Sequence, residues 1–267
     1  MGSEELALKI RQQAIEMTHQ ARASHLGSIL SIADIVGVLF SDVLTLFPDD
    51  PQNDERDRLI LSKGHAGVAI YIALAEKGFF PKKDLKTYYQ NGSLLSGHIS
   101  HKGIKGVELS TGSLGHGACV ACGMALAAQI DHKKHKVIAI IGDGECEEGS
   151  IWEMALFAHH YRLSNLFVIV DNNNMQSLDT CDNTLSLNPL ADKWKAFGWK
   201  AIEVDGHNHE QLRQAFHQPE PDKPTCIVAH TVKGKGVSFM ENDILWHYKD
   251  PQGDFYTKAL EELGVIK

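Results

Sequence analysis

The sequence predicts an α/β fold, a three-layer architecture in which a mostly parallel sheet carries helices on both faces. Three observations point to it. Short apolar, β-branched runs alternate with longer stretches of helical pattern, the signature of repeated βαβ units. One of those runs, "KVIAII", breaks into the glycine turn "GDGECEEG" before a helix begins near Gly149, and parallel sheets gather their ligands at such strand ends. The 267 residues are 43% hydrophobic and 22% charged, enough for a sizeable core in one α/β domain, and they show neither an internal repeat nor a composition break.

Along the chain, residues 4–23 mix helix formers with an acidic start, and helical pattern returns over 31–46 and 66–78. The polar, Pro- and Asp-rich "FPDDPQNDERDR" joins the last two. A small-residue helix is expected over 115–131, then a strand at 136–141, a helix at 149–162 and the strand "LFVIV" at 166–170. "NPLAD" opens a helix at 189–197, where Pro189 suits the first turn because a first-turn N–H has no helical partner to lose. "KAIEV" (200–204) and "TCIVAHT" (225–231) are strands on either side of a helix at 208–217.

Composition excludes several function classes. The net charge is −8 with Lys and Arg scattered, which argues against nucleic acid or an anionic membrane and leaves a small solute as the partner. The acidic N-terminal helix lacks the apolar core of a secretion signal, and no run of about 18 apolar residues occurs to span a bilayer. Five widely spaced cysteines, an odd number, fit reduced thiols and a cytoplasmic location. Cys119 and Cys122 form a C-x-x-C, but they lie in "GHGACVACGMALAAQ" with no second pair to complete a metal set, so they read as packed core.

The acidic turn holds the chemistry. A glycine turn at a strand end ordinarily brings backbone N–H groups to an anion, yet this one carries Asp143, Glu145, Glu147 and Glu148, which would repel a bare diphosphate. A divalent cation removes the conflict: Asp143 offers a hard oxygen to Mg²⁺ or Ca²⁺, the metal bridges diphosphate oxygens, and the glycines admit close approach. Mg²⁺ takes only one or two side-chain ligands as a rule, so a second should stand at the neighbouring strand end. "LFVIVDNNNMQ" provides it, with an amide oxygen and a backbone carbonyl completing the protein share.

A "GDG" followed after about thirty residues by an Asn pair is similar to the thiamine diphosphate motif, and "GDGECEEGSIWEMALFAHHYRLSNLFVIVDNNNMQ" resembles the transketolase version. "RDRLILSKGHAGVAIYIALAEKG", "SGHIS", "GVELSTGSLGHG" and "VKGKGVSFMEN" resemble successive transketolase segments in the family's order, covering nearly the whole chain. The resemblance implies the diphosphate-binding domain of the thiamine diphosphate-binding fold over residues 1–267. It implies Asp143, Asn173 and the Met175 carbonyl as metal ligands, with Mg²⁺ expected and Ca²⁺ or Mn²⁺ as alternatives. For the cofactor it implies His65, Gly112, Leu114, Gly142, Gly144, Glu148, Asn173 and His247. His25 and His98 match histidines of the substrate channel and, with His247, are the implied catalytic residues. Neutral imidazoles suit that role, since they donate to phosphate or hydroxyl oxygens and move protons near neutral pH. Glu148 and Glu153 match glutamates near a subunit contact, although acidic residues also collect at a helix N-terminus for dipole reasons. "HKKH" (132–135) reads as a solvated turn, and His159 and His160 as a helix face.

The implied reaction moves a two-carbon ketol unit from a ketose or ketose phosphate to an aldose. Residues matching the family's pyrimidine-binding and C-terminal domains are not found before "ALEELGVIK", so the chain is expected to act with a second subunit carrying them, as a heterotetramer of two plus two. The alternative is half of another thiamine diphosphate-dependent synthase or carboligase using a keto acid or a specialised donor. Three departures from the family pattern touch the expected channel: Tyr248 where Gly commonly follows the last histidine, "ASH" in place of "SGH" before Leu26, and Ile29 for a small polar residue.

Overall fold

A computed structural model describes residues 1–266. Its strands are β1 (Arg58–Leu61), β2 (Val137–Gly142), β3 (Leu166–Asn172), β4 (Lys200–Asp205) and β5 (Thr225–His230). They form one sheet in the order β1-β2-β3-β5-β4, every neighbouring pair parallel. The helices are α1 (Ser3–Ala21), α2 (Leu26–Ser31), α3 (Ala33–Val38), α4 (Gly67–Glu76), α5 (Gly117–Ile130), α6 (Gly149–His160), α7 (Cys181–Thr184), α8 (Leu190–Ala196), α9 (His209–Phe216) and α10 (Asp254–Glu262).

Alternation along each strand sorts the core into two layers. Ile138, Ile140, Phe167, Ile169 and Ile227 face α1 to α4, α9 and α10. Val137, Ala139, Ile141, Val168 and Val170 face α5, α6 and α8. Because both faces are covered, the strands read as continuous apolar runs rather than as polar and apolar residues in turn. Small side chains let α5 lie close to the sheet: Ala118, Ala121, Cys122, Ala125 and Ala128 are buried, as the C-x-x-C reading expected for Cys122, while Cys119 is half-buried. All five cysteines are free thiols.

The four expected strands and most of the expected helices stand where the sequence places them. The departures are these. Residues 31–46 do not form one helix: the helical run starts at Leu26, breaks at Ile32, resumes as α3 and ends in a π-type turn over Leu39–Val43. The break is where Ser31 and Asp34 leave for two different buried polar networks, Ser31 donating to Asp171 and Asp34 accepting from Arg11. The polar segment before residue 59 does not run straight into a helix either, because its last residue opens β1, a strand that four residues flanked by charge do not announce. Neither β1 nor α10 is apparent from the sequence pattern.

Candidate active site

A cavity of about 250 Å³ opens at the carboxyl ends of β1, β2, β3 and β5, the edge where a parallel sheet presents its loops. β1 delivers Lys63 and His65, β2 delivers Gly142, Asp143 and Gly144, β3 delivers Asn173 and Met175, and the loop after β5 delivers Lys233. His25, His98, Gly112, Leu114 and His247 complete the wall. Every residue the sequence nominates for metal, cofactor or catalysis lines this cavity except Glu148.

One corner is built from hard oxygens. Asp143 is 5% exposed, and its two carboxylate oxygens accept from the N–H groups of Gly144 (2.8 Å) and Asn174 (2.5 Å). The Asn173 amide has its orientation set by neighbours: Nδ2 donates to Ser31 Oγ and to Asp171 Oδ2, both at 3.1 Å, which leaves Oδ1 to accept from Met175 N at 3.0 Å. Asp171 is itself fully buried, paired with Lys63 and accepting from Ser31 and Thr231, so it orients the corner rather than facing the cavity. Burial, reinforced by the Asp171 carboxylate, pushes the Asp143 carboxyl up to about 6. A carboxylate, an amide oxygen and a carbonyl form a donor set that fits a hard divalent cation. Among the described residues no group of three or more His, Cys, Asp or Glu is arranged to hold a metal ion.

Touching this corner at the Met175 carbonyl stands a buried cation. Lys233 is 1% exposed, and its ammonium donates to the carbonyls of Met175 (3.1 Å) and Gln176 (2.7 Å) and to His247 Nδ1 (3.0 Å). Among the described residues no carboxylate pairs with it, and burial together with Lys63 lowers its ammonium to about 8. The cavity thus holds an undercompensated carboxylate and an undercompensated ammonium side by side. A metal paired with a polyanion neutralises both, so the residues present fit the cofactor type the motif implies.

Four histidines ring the remaining wall. The His25 ring centroid lies 5.2 Å from His65, 5.4 Å from His98 and 5.0 Å from His247, and His65 lies 5.7 Å from His247. His25 adopts φ of +72°, a left-handed conformation unusual outside glycine, and its N–H donates to the His247 carbonyl at 2.7 Å, which ties the two together. Burial lowers His25 to about 4 and His247 to about 3, with His98 adding for His25 and Lys233 for His247. Burial lowers His65 and His98 as well. All four imidazoles are neutral at neutral pH; Nδ1 of His247 accepts from Lys233 and Nδ1 of His25 contacts Ser24 Oγ, which leaves Nε2 of each for a ligand.

The acidic turn resolves into separate jobs. Glu145 is 1% exposed and accepts from Ser62 Oγ, Gly115 N (2.9 Å) and Gly142 N (3.2 Å), so it laces three site loops together. Glu147 accepts from the Gln176 amide. Glu148 stands outside the cavity: it is exposed at the N-terminus of α6, packed beside Gly115, because the 3₁₀ turn over Gly144–Glu147 carries the chain out of the pocket before the helix starts. Glu153 is exposed on the same helix. Of the departures from the family pattern, Ile29 is fully buried among apolar residues and touches no channel, since α2 turns it into the core. Ser24 of "ASH" reaches only His25 Nδ1, at 3.0 Å. Tyr248 does line the cavity, 60% exposed and edge-on to His247 with centroids 4.8 Å apart. Sequence reasoning passed over Lys63, Lys233, Glu145 and Ser28; the lysines sit in "SKGHA" and "VKGKG", where a lysine between small residues after a strand was the available signal.

Comparison with known proteins agrees with this architecture. The family model described as "Transketolase, thiamine diphosphate binding domain" matches residues 3–254. The chain is 38% identical to a subunit of the apulose-4-phosphate transketolase of Phocaeicola vulgatus, over 96% of its own length and 92% of that protein's. It is 41% identical to the 6-deoxy-6-sulfo-D-fructose transketolase subunit SqwG of a Clostridium species, over 95% of this chain and 93% of that one. The crystal structure of transketolase from Campylobacter jejuni superposes with a TM-score of 0.93 at 31% identity, covering 98% of this chain and 42% of that chain. With a parallel five-stranded sheet, a cavity at its carboxyl edge and a family model spanning nearly its whole length, the chain belongs to the transketolase family as its thiamine diphosphate binding domain.

Proposed function

We propose that this chain is the diphosphate- and metal-binding subunit of a two-chain transketolase, a transferase that moves a two-carbon ketol unit from a ketose or ketose phosphate to an aldose. The observation that carries the reading is the single cavity that collects Asp143, Asn173 and Met175, the buried Lys233 ammonium, which donates to the Met175 carbonyl, and four neutral histidines. Relatives of matching length that bear subunit names support a second polypeptide with the pyrimidine-binding and C-terminal parts. Two copies of each, in the cytoplasm, is the assembly we propose.

Thiamine diphosphate, when bound, supplies the nucleophilic carbon and the electron sink that exchange of a C–C bond requires. The chain's own residues do the rest. Asp143, Asn173 Oδ1 and the Met175 carbonyl hold the divalent cation, Mg²⁺ by the hardness of the donors, with Ca²⁺ or Mn²⁺ as substitutes. Gly142 has nothing within 4 Å of where a Cβ would stand, and at Gly144 a Cβ would press on the Gln176 side chain at 3.0 Å, so bare backbone at both positions leaves room for an anion. Lys233 faces the anion's charge, and His65, Gly112 and Leu114 line the cofactor's path. His25, His98 and His247 hydrogen-bond the donor's hydroxyls and carbonyl and carry protons at their imidazole nitrogens as the ketol unit is released. Glu148, exposed beside Gly115, is assigned to the contact between subunits rather than to the cavity, and Glu153 with it.

The test is reconstitution. The chain is assayed with Mg²⁺ and thiamine diphosphate, alone and with the second polypeptide co-purified from its own cells, using a ketose phosphate donor and an aldose acceptor. Transfer in the mixture and not in the chain alone is expected. An ordinary enzymatic rate from the chain alone overturns the two-chain reading, and release of carbon dioxide from a keto acid selects the carboligase instead.

A further inference from the structure

Lys233 is held by a loop with no regular structure of its own. In "VKGKG", Gly234 and Gly236 take φ of +84° and +99°, conformations that favour glycine, and backbone bonds from Gly234 N to the Gly27 carbonyl (3.0 Å) and from Asn242 N to the Lys233 carbonyl (2.9 Å) hold the middle of the loop. Side chains from two distant elements fix its ends. His207, in the turn between β4 and α9, accepts from Val232 N–H on Nε2 at 2.8 Å, and Arg11 of α1 donates from Nε to the Lys235 carbonyl at 3.0 Å. These anchors bracket Lys233, one on each side.

Both anchors end on one carboxylate. Asp34 of α3 accepts from Arg11 Nη1 (3.1 Å) and Nη2 (2.5 Å), from His207 Nδ1 (2.7 Å) and from His209 Nε2 (3.1 Å). Since His207 Nε2 accepts from a backbone N–H, its proton is on Nδ1, and the bond to Asp34 selects that tautomer and aims the ring. Despite its burial, Asp34 is held well below the usual carboxylate range by the bonds from His207, His209 and Arg11, so it stays charged while it does this. Neither Arg11, Asp34, His207 nor His209 lines the cavity.

We infer that Arg11, Asp34 and His207 are positioning residues for Lys233, clamping its loop so that the ammonium enters the cavity where the diphosphate is bound. This rests on the functional reading above, because it presumes that the ammonium meets that anion. The clamp adds to those backbone bonds: without it the two ends of the loop loosen and the ammonium is placed less well, at a cost in affinity for the anion.

Magnesium pyrophosphate is the probe, titrated calorimetrically into the full chain at neutral pH, with the melting temperature recorded for each variant. His207→Ala is expected to bind roughly tenfold more weakly, the scale typical of residues that orient a ligand-contacting group. His207→Gln, whose Oε1 reaches the Val232 N–H, restores binding to within about threefold. The double variant His207→Ala/Lys233→Met binds no more weakly than Lys233→Met alone, since the clamp acts only through the ammonium. A folded His207→Ala variant that binds like the parent overturns the inference, and so do losses that simply add in the double variant. Should His207→Ala not fold, Arg11→Lys carries the same comparison, keeping a cation on Asp34 while shortening the reach to the Lys235 carbonyl. Failure of the unsubstituted chain to bind magnesium pyrophosphate strikes the functional reading itself, and is told apart because no substitution is needed to see it.

Discussion

Among single residues, the site is governed by burial of groups that would rather be charged. His25 and His247 are held neutral by burial, with folded values of about 4 and about 3 against an ordinary 6.5. In the unfolded chain both take up a proton near 6.5, so stability from these groups is complete above that pH and falls as the pH drops toward the folded values. The slope expected is at most about 1.4 kcal/mol per pH unit for each imidazole, reduced by their partial exposure, and below about pH 6 it is opposed by Asp143, whose raised carboxyl takes up its proton in the folded chain first. Chemical denaturation of the metal-free chain between pH 7.5 and 5 checks this, and His247→Gln should flatten the curve; a pH-independent midpoint contradicts it. Asp143→Asn removes the corner's charge and sets an NH₂ against one of the two backbone N–H groups that the carboxylate accepts from; it should lower the melting temperature and weaken Mg²⁺-dependent binding of thiamine diphosphate to the folded protein by on the order of a hundredfold. Tyr248 is a different case, because it stands at the mouth of the cavity and holds no ion. Tyr248→Gly should shift KM for the donor several-fold while kcat moves less than about threefold in the reconstituted enzyme, the pattern of a group that shapes access rather than the reacting atoms.

Among the elements, the strand ends decide what can meet. β1 is only four residues long, yet it puts Lys63 and His65 beside the ends of β2 and β3. Gly64 makes that approach possible: a Cβ there would lie 2.3 Å from the Thr111 carbonyl oxygen, inside the loop that carries Gly112 and Leu114. Gly64→Ala should therefore cost more than about 3 kcal/mol or displace His65, read as a fall in melting temperature together with lost cofactor binding; an unchanged variant would show that the two loops are free to separate. The strands at 136–141, 166–170, 200–204 and 225–231 were legible because each is an apolar, β-branched run bounded by turn residues. β1 was not, because "RLIL" is short and its flanks are charged. The broken helix around Ile32 was not either, since a run that is apolar on all sides carries no periodicity to reveal where it stops.

Over the molecule as a whole, one cavity collects loops from positions 25 to 248. Exposed apolar side chains stand next to it: Leu178 follows Ser177 of the lining at 84% exposure, and Leu245 shares a turn with His247 at 63%. Addition of the second polypeptide should slow amide hydrogen exchange over 176–185 and 244–248, and exchange that is unchanged there would place the contact elsewhere on the chain. The class of fold and the residues of the oxygen-lined corner could be read along the chain alone. Strand periodicity and a "GDG" thirty residues before an Asn pair are local patterns, and local patterns survive in a one-dimensional reading. Packing in three dimensions was needed to select which acidic residues face the cavity, to make Glu145 a buried strut while Glu148 lies outside, and to set Lys233 as a buried cation in the same cavity as Asp143. Those outcomes depend on contacts between residues up to 224 positions apart, as in the bond from Arg11 to the Lys235 carbonyl, and burial and charge compensation at that range follow from packing, which no spacing along the chain records.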